Sequence, residues 1–280
     1  MNLGDRVRNW ADQETSVKAV VLIGSRVRCS DDRIWRADAK SDWDFQIITS
    51  RPELFENAGW TTSLGCPPLT YAVRRAAIGG VPKVAALFEE TEADFVIVPT
   101  WKLMACRVAV AFGFHNRSDS LYRKLQDLAV VVRPGWLFLK GKKNWDPFYR
   151  RVVTDVKDPR MDDIEVRNLA EGFVCDAVWT KRKIERGEWL AAQRMIHHSL
   201  AETNFRLMHE LRLRRGERTF PEARRAEFTL SERDLFAINV CVVPTAESLK
   251  KGLERVSSTC RELVRAMLGE AWSWPLLTRF

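Results

Sequence analysis

Apolar residues recur at helical spacing from the start of the chain, with Leu3, Val7, Trp10 and Ala11 on one face. A continuous run, Ala19-Val20-Val21-Leu22-Ile23, then ends at Gly24 and predicts a buried strand. Between Arg26 and Lys40 lies a polar stretch rich in Asp and Arg, which predicts a loop. Residues 42–49 predict a second strand. Asp94-Phe95-Val96-Ile97-Val98 predicts a third that stops at Pro99, a residue unable to donate to a ladder. The pattern over 100–113 is helical, and Leu128 to Arg133 predicts one more strand. After about residue 155 the period changes. Val166, Leu169/Ala170, Phe173/Val174 and Ala177/Val178 follow i, i+3/i+4 spacing, as do Ile196, Leu200, Leu207 and Leu211. Ser231, with Asp234 three residues on, and Thr245 after Pro244 read as helix caps. Leu249, Leu253, Val256, Cys260, Leu263 and Met267 then form a long amphipathic stripe that packs a core. The expected architecture is an α/β front and an all-helical rear, with the boundary within 141–160.

Composition changes this picture little, and charge changes it more. At 280 residues with 46% apolar and 29% charged, the chain can bury a core without cross-links and is not disordered. No apolar run approaches the roughly 18 residues that span a bilayer. The first residues lack the apolar core of a secretory signal, and six scattered cysteines, including Cys29, form no CxxC pair. These features predict a cytoplasmic protein with neither a zinc site nor a disulfide framework. Residues 1–100 carry 12 Lys/Arg against 14 Asp/Glu, whereas the remainder carries 33 against 23. That asymmetry fits either a solvated basic helix surface or an anionic partner.

Candidate chemistry concentrates between Val20 and Ser50. Strand alternation puts Asp42, Asp44 and Gln46 on one face and Trp43, Phe45 and Ile47 on the other. Two such carboxylates suit a hard divalent cation, since Mg²⁺ is usually held by one or two carboxylates together with substrate phosphates. Gly24-Ser25 supplies a turn whose N–H groups and hydroxyl can hold phosphate oxygens. If the Asp94 strand lies beside Asp42-Trp43-Asp44-Phe45, three carboxylates converge next to that turn. The remaining motifs are plainer. His197 and His198 are adjacent and cannot share a metal as an i, i+4 pair does; like His115 and His209, they read as packing or surface residues. Gly79-Gly80 reads as a turn, and most of the 11 tryptophans as core.

Val21-Leu22-Ile23-Gly24-Ser25-Arg26 followed by Asp42-Trp43-Asp44-Phe45 resembles the signature of the polymerase-β-like nucleotidyltransferases. More narrowly it resembles the aminoglycoside 6-adenylyltransferases (streptomycin adenylyltransferases). Ala86-Leu87-Phe88-Glu89-Glu90 leading into Ala93 to Pro99, and Glu171, Phe173, Trp179, Lys181 and Trp189 in order, extend the likeness over roughly residues 15–215. Two features depart from the family pattern: a longer loop between Ser25 and Asp42, and Leu137 to Lys143 where relatives carry an acidic pair.

The resemblance implies an α+β fold. A nucleotidyltransferase domain over 1–150, with a mixed β-sheet flanked by helices, would precede an all-α helical-bundle acceptor-binding domain over 151–280. It implies transfer of AMP from ATP to a hydroxyl with release of pyrophosphate, using two Mg²⁺ ions about 3.5–4 Å apart. Asp42 and Asp44 would ligate the ions, and Gly24 and Ser25 would hold the β- and γ-phosphates. Arg26 or a downstream lysine would neutralise those phosphates. Asp94 would complete a metal site or take the acceptor proton. Glu171 is a second candidate base, with a solvated surface glutamate as its plain alternative. A small-molecule, aminoglycoside-like acceptor ranks first, drawn to Asp162, Asp163, Glu165, Glu171 and Asp176. An RNA acceptor held by Arg206, Arg212, Arg214, Arg215, Arg218, Arg224 and Arg225, with Phe220 the lone aromatic among them, ranks second. A non-catalytic nucleotide-binding interaction protein ranks third. A monomer or homodimer without membrane contact is expected.

Overall fold

The computed structural model describes residues 1–28, 36–75, 79–217, 219 and 223–275. Cys29, Arg218, Phe220 and residues 29–35 of the expected polar loop lie outside them. The chain divides into two units, Met1–Pro159 and Arg160–Phe280. Among the described residues no helix is long and apolar enough to cross a membrane.

The first unit is α+β. Asn2 caps α1 (Leu3–Gln13) by accepting from the Asp5 N–H at 2.9 Å, and the helix buries Leu3, Val7, Trp10 and Ala11. Six strands follow: β1 (Val17–Ile23), β2 (Trp43–Thr49), β3 (Thr70–Arg75), β4 (Pro82–Leu87), β5 (Glu92–Pro99) and β6 (Leu137–Lys140). They form one sheet in the order β3-β4-β5-β2-β1-β6, antiparallel except for the central β2/β5 pair. β2 is buried from Phe45 onward and β5 alternates buried with half-buried positions, the buried ones including Phe45, Ile47, Ile48, Phe95 and Ile97. One sheet face packs on α1 and short 3₁₀ turns through Phe45, Ile47, Phe95 and Ile97. The opposite face packs Val21, Ile23 and Ile48 on α2 (Thr100–Ala111), α3 (Asp119–Val132) and α4 (Lys142–Asp155).

One expectation needs correction. Leu128 to Arg133 is not a strand but the end of α3: Ser118 caps that helix, and Leu121, Leu125, Leu128, Ala129 and Val132 repeat at helical spacing. The β-branched run Val130-Val131-Val132 imitates a strand locally, while the packing stripe begins seven residues before Leu128. β5 stops at Pro99 as the sequence predicts, that residue being its last paired position, opposite Thr49. Most of the described tryptophans lie in or against the cores, Trp43, Trp136, Trp272 and Trp274 packing on them half-buried. Trp10, Trp60 and Trp145 are buried, whereas Trp101, Trp179 and Trp189 are 69%, 57% and 42% exposed.

The second unit is helical. Its elements are α5 (Asp163–Glu185), α6 (Trp189–Arg194), α7 (Ala201–Arg214), α8 (Ala226–Thr229), α9 (Glu232–Ile238) and α10 (Ala246–Leu268). A π-helical segment, Met195–Leu200, joins α6 to α7 and contains His197 and His198. Ser231 and Thr245 cap α9 and α10. Leu249, Leu253, Val256, Cys260 and Leu263 face the core, with Met267 packed at its margin. Cys260 is fully buried, and burial pushes its thiol up to about 12. The described cysteines, Cys66, Cys106, Cys175, Cys241 and Cys260, are free thiols.

Candidate active site

The site lies where β1 ends and β2 and β5 begin. β1 runs antiparallel to β2 with Ile23 opposite Asp44, so the turn after β1 sits beside that carboxylate. β2 and β5 are parallel with Asp44 opposite Asp94. Asp42, just before β2, joins them: the three residues offer carboxylate oxygens within 4.8 Å of one another, all half-buried. Like charges this close repel and favour a bound cation. Beneath the carboxylates, on the reverse face, Trp43 stacks on Phe45 at 5.8 Å and Phe45 on Phe95 at 5.2 Å. Trp60 meets Phe95 edge-on. These rings make a stiff floor for the two strands.

Gly24 has φ +76°, and a Cβ there would lie 2.1 Å from the Asp44 Oδ2, so this turn admits only glycine. The adjoining Ser25 hydroxyl is shut off from solvent and has no hydrogen-bond partner in the protein. An unpaired buried hydroxyl costs stability unless a ligand satisfies it. Gly24 thus lets the Asp44 carboxylate close on the turn, and the orphaned Ser25 Oγ beside it suits a phosphate oxygen brought next to the carboxylates.

Arg26 is otherwise engaged. Its Nε donates to the Asp42 carbonyl at 2.9 Å, a second guanidinium nitrogen donates to the Ser41 carbonyl, and its plane lies 4.2 Å over the Trp43 ring. These contacts fix the entry into β2, and with it Asp42. Gln46, on the same face as the aspartates, is buried and accepts a 2.7 Å bond from the Tyr149 hydroxyl of α4. Burial pushes that phenol well above its ordinary pKa, so it stays a donor. Sequence reading missed Lys83, whose Nζ lies 2.5 Å from the Asp94 Oδ2. The signal for it is not local: only the β4/β5 register, with Ala85 opposite Asp94, brings Lys83 within reach.

The remaining predicted residues lie in the second unit. Glu171 is exposed on α5. Of its companion carboxylates, Asp162 and Glu165 form the capping box of α5, Asp163 pairs with Arg214 at 2.9 Å, and Asp176 accepts from the Ser199 hydroxyl. Within the expected basic cluster, Arg212 is buried and pairs with Glu217 at 2.9 Å. Arg214 pairs with Glu210 at 3.2 Å. Those two arginines hold their own unit together.

No protein-family model matches the chain, and no curated protein matches it. Among solved structures, an aminoglycoside 6-adenyltransferase from Bacillus subtilis aligns over 98% of this chain and 94% of its own, at 13% identity and a TM-score of 0.40. A nucleotidyltransferase-like protein from Exiguobacterium sibiricum 255-15 aligns over 95% and 77%, at 9% identity and a TM-score of 0.36.

Proposed function

We propose that the protein is a divalent-metal-dependent nucleotidyltransferase that moves AMP from ATP to a hydroxyl of an aminoglycoside-like small molecule. One observation carries the metal and nucleotide chemistry of this reading. Asp42, Asp44 and Asp94 converge beside a turn where Gly24 is sterically required and the Ser25 hydroxyl is buried without a partner.

Asp42 and Asp44 would hold Mg²⁺, and the ion would supply charge neutralisation to the attacking and leaving oxygens. Ser25 donates to a phosphate oxygen beside the Asp44 carboxylate, which the missing side chain of Gly24 lets approach the turn. The acceptor oxygen bonds to the α-phosphorus while the bond from that phosphorus to the bridging oxygen breaks, and pyrophosphate leaves. Asp94 either completes the metal set or takes the acceptor proton. Arg26 orients Asp42 through the backbone it binds.

The test is label transfer from α-³²P-ATP with Mg²⁺, offering streptomycin, other aminoglycosides and total RNA in parallel. Label on an aminoglycoside, lost in Asp42→Asn, supports the reading. Label on RNA alone overturns the acceptor, and label on nothing overturns the activity.

A further inference from the structure

We infer that Lys83 is an internal counter-cation, seated on Asp94 while the carboxylate cluster holds no metal and displaced toward the polyphosphate when a divalent ion binds. The inference rests on reading Asp42, Asp44 and Asp94 as a metal site.

Lys83 and Ala85 share a face of β4, and Ala85 stands opposite Asp94 in β5. From this diagonal position the lysine stem reaches across to a 2.5 Å ion pair with the Asp94 Oδ2. An ammonium there does for the half-buried cluster what a metal would do: it offsets the repulsion among three carboxylates within 4.8 Å. It does so at a cost to metal binding, because a divalent ion reaching Asp94 meets a positive charge already in contact with the same carboxylate. The side chain is 39% exposed and its stem is flexible, so the ammonium can leave without disturbing the core.

Its destination adjoins the site. A trough of about 340 Å³ runs along this sheet face from Asp42 and Asp94 over Ala72 and Ala85 to Arg74. Arg74 is the cross-strand partner of Lys83. Small floor residues leave room there, and an ammonium released from Asp94 joins the Arg74 guanidinium as a second cation along the wall. A nucleoside polyphosphate laid between the Arg74 end of the trough, away from Glu92 at its other end, and the metal-bearing carboxylates meets positive charge on both sides. Metal and nucleotide binding are thereby coupled, since metal arrival frees the cation that the phosphates use.

A static strut holding Asp94 in its metal-binding rotamer predicts the opposite sign for metal affinity, so the two roles separate cleanly. The probe is Mn²⁺ alone, titrated into the full chain and followed by the electron paramagnetic resonance of the free ion. Lys83→Met should bind Mn²⁺ at least about fivefold tighter than the parent, and Lys83→Arg about as weakly as the parent. With Mn²⁺ saturating, the affinity of Lys83→Met for an α,β-non-hydrolysable ATP analogue should fall about fivefold. Lys83→Gln repeats both titrations in case the methionine variant fails to fold. Unchanged or weaker Mn²⁺ binding in the folded variants overturns the displacement, and unchanged analogue binding overturns the hand-over to phosphate. Parent binding of Mn²⁺ that Asp42→Asn does not weaken overturns the metal site itself. Binding that depends on Asp42 but does not tighten in Lys83→Met overturns only the role of Lys83.

Discussion

At Gly24 a side chain is excluded twice, by a positive φ and by the Asp44 carboxylate against the backbone. Gly24→Ala should therefore lose about 1–2 kcal/mol of stability from the left-handed backbone alone. It should also displace Asp44 and take label transfer to background; wild-type transfer would remove this turn from the site. Ser25→Ala separates function from stability in the other direction. It deletes a buried hydroxyl without a protein partner, so the melting temperature should hold or rise while affinity for the ATP analogue falls severalfold. A lowered melting temperature with unchanged analogue binding would make Ser25 a structural residue. Asp42→Asn and Asp44→Asn should abolish transfer and leave the melting temperature unchanged or higher, since each relieves repulsion within the triad. These residues were legible in the sequence because their chemistry is local: a turn after one strand and two carboxylates at strand spacing. Lys83 was not, because its partner is set by the pairing of two strands rather than by neighbours in the chain.

The elements that carry the site are those whose sequence pattern is strongest. β1 and β2 are mostly buried and β5 alternates buried with half-buried positions; all three are rich in β-branched and aromatic residues and readable as strands. β3 and β6 lie at the sheet's edges, exposed or half-buried; no apolar run announces β3, and that of β6 is only Trp136 to Leu139, while β4, beside β3, carries three alanine and lysine positions of low strand propensity. The trough and Lys83 belong to this unannounced side of the sheet. α3 was misread for the converse reason, a valine run inside a helix whose stripe starts earlier. At this scale the support under β2 is testable. Tyr149 of α4 donates to Gln46, one alternation beyond Asp44, inside a fully buried setting. Tyr149→Phe should leave the Gln46 oxygen without that donor and lower stability by about 1–2 kcal/mol, a fall of about 2–8 °C in melting temperature. A melting temperature within a degree of the parent would show that the bond adds nothing to the anchoring of β2.

Over the whole molecule, charge and core divide differently. The basic excess falls after residue 100, and sequence alone leaves it open whether that charge meets an anionic partner or stays in solvent. The structure gives part of it a third use: Arg212 and Arg214 are drawn into pairs with Glu217, Glu210 and Asp163, and the carboxylates flanking the start of α5 cap that helix. Such pairing depends on which helices fold together, which a count of charges does not reveal. The cores, by contrast, are closed within each unit. The clusters around Phe45 and Tyr149 draw on residues up to Val156, and the cluster around Phe173 and Val256 begins at Met161. A unit of this size buries about two thirds of its unfolded surface, enough to fold without help. A fragment of residues 160–280 should therefore melt cooperatively with helical circular dichroism. A fragment of residues 1–159 should keep Asp42-dependent Mn²⁺ binding within about threefold of the full chain, because all three carboxylates, Ser25 and Lys83 lie inside it. A broad, non-cooperative melt of either fragment would show that its core needs the other unit. A folded first fragment that no longer binds Mn²⁺ would show that the metal site takes a ligand from beyond Pro159.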